Sequence, residues 1–439
     1  MRAATHREYL ALVVPFVLTS ITAPLLGIVD TAVMGRMDDP SYIGGVAVGA
    51  LIFSTIYWLF GFLRFTTTGF TAQAHGRGDG EEILWAVARP LAIAVAAGCA
   101  LILLQRPIFV GILAIVRPEE SVVTFAGQYF HILIWGAPFT LAGYALVGWL
   151  MGMTYVRPNL YIQIFTNVLN LVLVVLFVLV FRWGVRGVAF ATLIAQILSC
   201  ALSAALVYRY GRFELSHVTL RRLFDRTAFR RIMAVNNDVL IRTVCILVMT
   251  NLFTASGASF GTETLAANSI LFQLQYFMGY LLDGFANASS VLAGEALGRN
   301  DPTLYRRDLR LSWIWIAASI AALTLLHWLW DVRVIRMLTK LDTVAEIAIR
   351  HSPWLLLYPL TYGFNTVIYG IYNGLTWGAP IRNASVLALV LFLVALQLFV
   401  PVRGNDGLWL AFTLFNVGRS GYLLATVKTS LRIFDRRPG

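Results

Sequence analysis

The chain has 439 residues, of which 59% are hydrophobic and only 13% charged. A soluble globular chain is nearer half apolar and a quarter charged, so an ordinary soluble enzyme or binding domain is excluded. The formal net charge of +12 is therefore a question of where basic residues lie against a membrane, not a nucleic-acid footprint.

A bilayer span needs roughly 20 mostly apolar residues. Such stretches are predicted at 10–34, 44–70, 90–115, 124–151, 160–181, 188–208, 234–255, 264–294, 311–330, 349–374, 383–401 and 407–427. Twelve spans with short loops use up the chain and leave no room for a soluble domain. The first stretch is too long for a signal-peptide core, and no small-residue cleavage site follows it, so it is expected to be retained. Pro15, Pro24, Pro138 and Pro359 fall inside spans, where neighbouring helices can satisfy the freed carbonyls. Cys99, Cys200 and Cys245 are odd in number and irregular in spacing, which argues against a disulfide framework or a zinc site.

Basic residues concentrate in alternate loops: Arg2 and Arg7, Arg77 and Arg89, Arg157, the run from Arg209 to Arg231, Arg299 to Arg310, Arg382, and the tail from Lys428. That bias predicts cytoplasmic N- and C-termini, an even number of spans and a cell inner-membrane location. The basic run at mid-chain reads as a cytoplasmic linker, 211–231, between an N-terminal six-helix lobe, 1–210, and a C-terminal one, 232–439. The fold class is thus an all-α polytopic membrane protein, with twelve transmembrane helices in two pseudo-symmetric six-helix bundles.

The halves carry related strings. Gly76-Arg77-Gly78-Asp79 is answered by Gly298-Arg299-Asn300-Asp301, 222 positions later by subtraction. The same shift carries Gly148, Gly152, Thr154 and Pro158 onto Gly370, Gly374, Thr376 and Pro380. Gly184 and Gly187 match Gly404 and Gly407 at a shift of 220. Both halves begin on the same side, which makes this a parallel repeat, an arrangement found in transporters with a central site.

Asp30 is the residue most suggestive of chemistry. It lies among apolar residues of span one, where a carboxylate is expensive and usually faces a cavity or a polar partner. Burial raises a carboxyl pKa towards the range in which a proton can load and leave. The competing reading is an aspartate that reaches the outer headgroups beside Arg36. The repeat places Leu252 at the related position, so packing does not demand an acid there. Asn167, Asn170 and Thr192 could complete hydrogen bonds around Asp30, or could serve as interhelical glue. In the second half Asp238 and Arg242 stand four apart and Asp283 lies in span eight, a possible paired cluster with Asn268, Gln273 and Gln275 nearby.

Two enzyme-like strings are set aside. Gly76-Arg77-Gly78-Asp79 lies in a loop and its repeat partner breaks the pattern, while Gly257-Ala258-Ser259-Phe260-Gly261 lacks a strand-to-helix context. No metal-ligand motif, P-loop or dinucleotide fingerprint appears, so no cofactor, no metal and no enzymatic role are expected, and an ion gradient is the natural energy source.

Several strings resemble the multidrug and toxic compound extrusion (MATE) family, and within it the DNA-damage-inducible F branch. They are 24–35, 44–49, 62–69, 71–74, 148–150 and 282–285. The resemblance implies a V-shaped pair of lobes that exports organic cations or other xenobiotics against an inward flow of protons or sodium. It implies that Asp30 is the proton-binding carboxylate, with Asn170, Thr192 and Tyr129 as its polar partners, and that Pro15 marks a bend in the first helix. Relatives often carry a second acid four residues after the asparagine matching Asn170; here that position is Val174, which weakens a sodium site. The expectation is a proton-coupled antiporter for amphipathic or cationic small molecules, working in a lipid bilayer without nucleic acid. The alternatives are sodium coupling and a flippase for a lipid-linked precursor. The flippase should line its cavity with several cations, and only Arg64 and Arg242 are clear intramembrane candidates, which disfavours it.

Overall fold

The computed structural model describes residues 5–34, 40–116, 120–211, 213, 220–223 and 225–435, with the side chains of 21–34 lying outside that description. The described residues are helical nearly throughout and contain no strand. The first helices are α1 (His6–Met34), α2 (Pro40–Leu59), α3 (Phe62–Arg77), α4 (Gly80–Leu103) and α5 (Gln105–Val116). Next come α6 (Glu120–Leu133), α7 (Ala137–Gly152), α8 (Val156–Val174), α9 (Gly184–Gly211) and the short α10 (Leu220–Leu223). The second half contains α11 (Arg226–Ala258), α12 (Thr262–Gly298), α13 (Pro302–Leu338), α14 (Asp342–His351) and α15 (Pro353–Gly374). It ends with α16 (Ala379–Arg403), α17 (Asn405–Ser430) and α18 (Arg432–Asp435).

Each of the twelve predicted spans has a helical counterpart. Among the described residues, 8 helices are long and apolar enough to cross a bilayer on those grounds alone. α12, α15 and α17 are long enough too but carry more polar side chains, and those side chains recur in the site below. Span three starts earlier than predicted. Pro90 and the charges before it read as a boundary, yet Pro90 lies inside α4. The helix begins at Asp79, whose carboxylate accepts from Glu82 N at 3.0 Å, and Glu81 and Glu82 in the first turn suit the helix dipole.

The chain divides into two compact units, Ile21–Ile232, and Met233–Gly439 together with Met1–Ser20. The sequence placed the first residues with the first half; they pack instead in the second unit. Tyr9, Val13 and Phe16 are buried there, and Tyr9 Oη donates to Ser312 Oγ at 3.0 Å. Gly284 makes this possible, because a Cβ there would stand 2.7 Å from Val17 N.

The repeat is visible in the backbone of each unit. In the first, α7 packs on α3, α4 and α9; in the second, α15 packs on α12, α13 and α17. A Cβ on Gly148 or Gly152 would meet the carbonyl oxygen of Arg64 or Thr68, at 2.6 and 2.7 Å. Gly370 and Gly374 lie in the same way against the carbonyl oxygens of Ala286 and Ser290, each 222 positions on. These are small-residue seams that let two helix backbones touch.

The turns match as well. Tyr155 N donates to Leu150 O at 2.8 Å, and Trp377 N to Tyr372 O at 2.9 Å. Thr154 and Thr376 both hold positive φ, 63° and 52°, a costly conformation for a β-branched residue that both copies keep. Asp301 caps α13 as Asp79 caps α4, accepting from Leu304 N at 2.9 Å, and these bonds hold its carboxyl below the usual carboxylate range. The G-x-G-D string thus forms a helix junction.

Candidate functional site

In the unit Ile21–Ile232, Asn170 of α8 donates from Nδ2 to Thr192 Oγ1 of α9 at 3.1 Å. The threonine hydroxyl donates its own hydrogen bond to Val188 O at 3.0 Å, so its orientation is fixed. Asn170 is 1% exposed, and its Oδ1 has no hydrogen-bond partner among the described residues. A buried acceptor left in that state is costly, and such a group calls for an explanation. The backbone changes just past this point: α8 continues into a π-helical segment, Val175–Val180, a distortion frequent at functional sites. The first half has two residues more than the second between its matched positions, and this segment lies within that interval.

Tyr129 of α6 is buried, packs at an angle against Phe53, and sits over Gly49, where a Cβ would strike its ring. Tyr57, Thr140 and Gln196 add polar atoms to the same unit that sequence reading missed. Tyr57 Oη, Thr140 Oγ1 and Gln196 Oε1 are all buried, close together, and in no well-aligned hydrogen bond. Asn167 is bound elsewhere, accepting from Gln163 Nε2 at 3.0 Å. Val174 is fully buried and apolar. Asp30 lies on α1, four positions before its last residue, with its side chain outside the described residues. Pro15 lies on the same helix in the other unit, and its carbonyl accepts from Thr19 Oγ1 at 2.8 Å.

The related positions in the second unit are apolar. Asn170 corresponds to Phe392, Thr192 to Phe412 and Asp30 to Leu252; Phe392 and Phe412 belong to one hydrophobic cluster, and the half-buried Leu252 packs against it. The polar set therefore belongs to one half and is no requirement of the repeat.

The second unit has a polar cluster of its own, and it differs from the predicted one. Asp238 does not pair with Arg242. It binds Arg382 Nη1 at 2.8 Å, at the start of α16, where a Cβ on Gly378 would meet Asp238 Cβ at 2.6 Å. The carboxylate thus takes both a guanidinium and a favourable helix N-terminus, more than Arg242 one turn away offers. Arg242 lies over the ring of Tyr369, 4.1 Å from its centroid, with its Nε buried and unbonded. Asp283 accepts from Tyr362 Oη at 2.9 Å. Tyr362 in turn lies under Arg419, a residue that the sequence reading passed over. Arg419 is 4% exposed and also faces Phe415, 5.5 Å from its centroid. The signal was present, since an arginine inside span 407–427 demands a partner or a role. Asn268 has a structural post, bridging Asn405 and Trp409 of α17. Arg64 lies over Phe65 in the first unit.

The comparisons with known proteins agree with this architecture. The MatE family matches twice, over residues 15–176 and 239–398, once in each half. The DNA damage-inducible protein F of Escherichia coli is 34% identical over 410 residues, 92% of this chain and 88% of that protein. A probable multidrug resistance protein NorM of Bradyrhizobium diazoefficiens is 25% identical over 439 residues, 95% of this chain and 92% of its own. Among solved structures, a mutant of the Vibrio cholerae MATE transporter VcmN aligns with a TM-score of 0.87 at 18% identity, over 98% of both chains. A MATE structure in the bent conformation aligns at 0.90 and 15% identity, over 99% of this chain and 97% of that one. The two-fold match and the extent of the Escherichia coli relative leave one conclusion: the chain belongs to the MatE family of membrane transporters.

Proposed function

We propose that the chain is a proton-driven antiporter that expels amphipathic xenobiotics, organic cations among them, with Asp30 as the carboxylate that carries the proton. The observation behind this reading is the buried Asn170–Thr192 pair, with an amide oxygen open to a donor, in the half whose first helix bears the acid. A protonated carboxyl offers an O–H that such an oxygen accepts, and an ionised one does not. Loading a proton from the outer side removes a charge from a low-dielectric site and favours a contracted first unit, which drives the cargo out. Release to the inside restores the charge and the open cavity. Val174, buried where the family resemblance leads one to expect an acid, removes an oxygen ligand that a sodium ion would use. The NorM relatives are named as probable multidrug resistance proteins, which supports export as the direction.

Everted membrane vesicles test the coupling ion. An imposed pH gradient, acid inside, should drive rhodamine 6G into the vesicles, and a sodium gradient at equal pH should not. Uptake driven by sodium alone would replace the proton in this scheme.

The same reading places both termini and the basic linker in the cytoplasm, as the arginine bias predicts. Reporter tags after Gly439 and between Arg212 and Arg231 should both report that side. A linker tag reporting the outer side would rule out a pair of parallel six-helix halves.

A further inference from the structure

We infer that the unit containing Met233–Gly439 holds a binding site for the anionic group of an amphipathic ligand, built on Arg242 and Arg419. The argument starts from a charge count. Two guanidinium groups, on α11 and α17, lie within electrostatic reach of each other. The carboxylate that shares their surroundings is Asp283 of α12, engaged by Tyr362. Asp238, the other acid of this region, is committed to Arg382. Among the described residues the cluster therefore carries two cations against one anion, in helices read as spanning the bilayer.

Aromatic rings do not close that gap. Arg242 rests on Tyr369 and Arg419 on Tyr362 and Phe415, and each ring face attracts the cation. Such contacts recover less than burying a guanidinium costs, and the two like charges also repel. Neither arginine forms an ion pair among the described residues, and Arg242 Nε is buried without an acceptor. A guanidinium fork with a free N–H, within electrostatic reach of a second fork, is the donor set that binds carboxylate, sulfonate or phosphate oxygens. The surrounding aromatic side chains suit the apolar body that carries such a group.

The cluster is not a remnant of the repeat. The positions 222 residues before Arg242 and Asp283 are Ser20 and Gly61, and Arg419 answers Ser199 at the shift of 220 that holds near it. The second half has thus gained its cations independently of the polar pair in the first. The inference rests on the proposed transport only in treating the ligand as cargo; binding itself needs no gradient.

The test is equilibrium binding to the purified full-length protein in detergent, with two xanthene dyes of similar ring system and opposite charge. Fluorescein is anionic and rhodamine 6G cationic, and fluorescence polarisation reads both. Wild-type protein should bind fluorescein saturably. Arg242→Gln and Arg419→Gln should each lower the ratio of fluorescein to rhodamine 6G affinity by about tenfold or more, as loss of a charged donor at a buried site does. If either variant fails to run as a monodisperse peak, Arg242→Lys or Arg419→Lys takes its place. Lysine keeps the charge but not the fork, and should lower the ratio several-fold. No saturable fluorescein binding by wild type, or an unchanged ratio in the folded variants, overturns the site. Because no gradient is applied, an error in the proton scheme leaves this result untouched. Conversely, failure here leaves rhodamine 6G efflux driven by pH still to be explained by Asp30.

Discussion

Asp30→Asn protein should reach the membrane folded, bind rhodamine 6G, and lose pH-gradient-driven efflux by about tenfold or more, because an amide cannot load or release the proton that a buried carboxyl exchanges. The amide has nearly the shape of the protonated acid, so the substitution freezes one state of the cycle and does not open a hole in the fold. The repeat supports tolerance at this position, since the second unit uses Leu252 there and packs it against its core cluster. Asp30→Glu keeps the proton chemistry with a longer reach and should retain part of the activity. The measurement is initial-rate efflux in everted vesicles, normalised to folded protein by fluorescence-detected size exclusion. Wild-type rates from Asp30→Asn would move the coupling site elsewhere, with Asp283 and its tyrosine partner the next residues to replace.

The second large effect is on stability. Gly374→Val should strip the protein of much of its thermal resistance in detergent, because the new side chain has nowhere to go. A Cβ at that position would strike the carbonyl oxygen of Ser290 and stand 2.9 Å from Gly294 N, both backbone atoms of α12. Overpacking a core with side-chain neighbours costs about 1–3 kcal/mol, and backbone neighbours cannot turn aside as rotamers do. Gly370, one turn earlier, meets Ala286 in the same manner, so the seam has no slack on which to rotate. Gly143→Ala on α7 is the control, for nothing lies within 4 Å of the Cβ it would add. It should leave the melting temperature unchanged or raise it, since alanine favours helix over glycine by about 0.8–1.0 kcal/mol. Heating steps read by size exclusion separate the two. Equal melting of both variants would contradict the account of the seam.

Much of this was legible in the chain itself. Long apolar stretches reveal spans because a bilayer leaves backbone groups no partner outside a helix. The repeat was legible because its marked positions are ones where shape admits few residues: glycines at backbone contact, a capping aspartate, a turn with positive φ. The partners of a charge were not. Asp238 and Arg242 have the spacing of a helical pair, but spacing along one helix says nothing of Arg382, which arrives 144 residues later. Asn170 and Thr192 stood out as polar residues inside spans, and family likeness tied them to Asp30, but the bond between them, 22 residues apart in sequence, needed the fold. The π-helical segment after α8 has no sequence signature, because Val175 to Val180 is as apolar as any regular helix in a membrane. Arg419 was readable as an oddity inside a span, yet its tyrosine and phenylalanine neighbours were not.

The membership of residues 6–20 in the second unit has a consequence for how the molecule is made. Tyr9 is translated 303 positions before its partner Ser312. At about 5–20 residues per second, the interval is roughly 15–60 s. For most of it, until the helices from Met233 onward are made, the face bearing Tyr9, Val13 and Phe16 lacks its own unit, while the first unit can already close on its own contacts. Gly284, whose missing side chain admits Val17, is also translated late. Residues 6–20 thus enter the membrane well before the helices they pack with, and they find their place only when the second core is made.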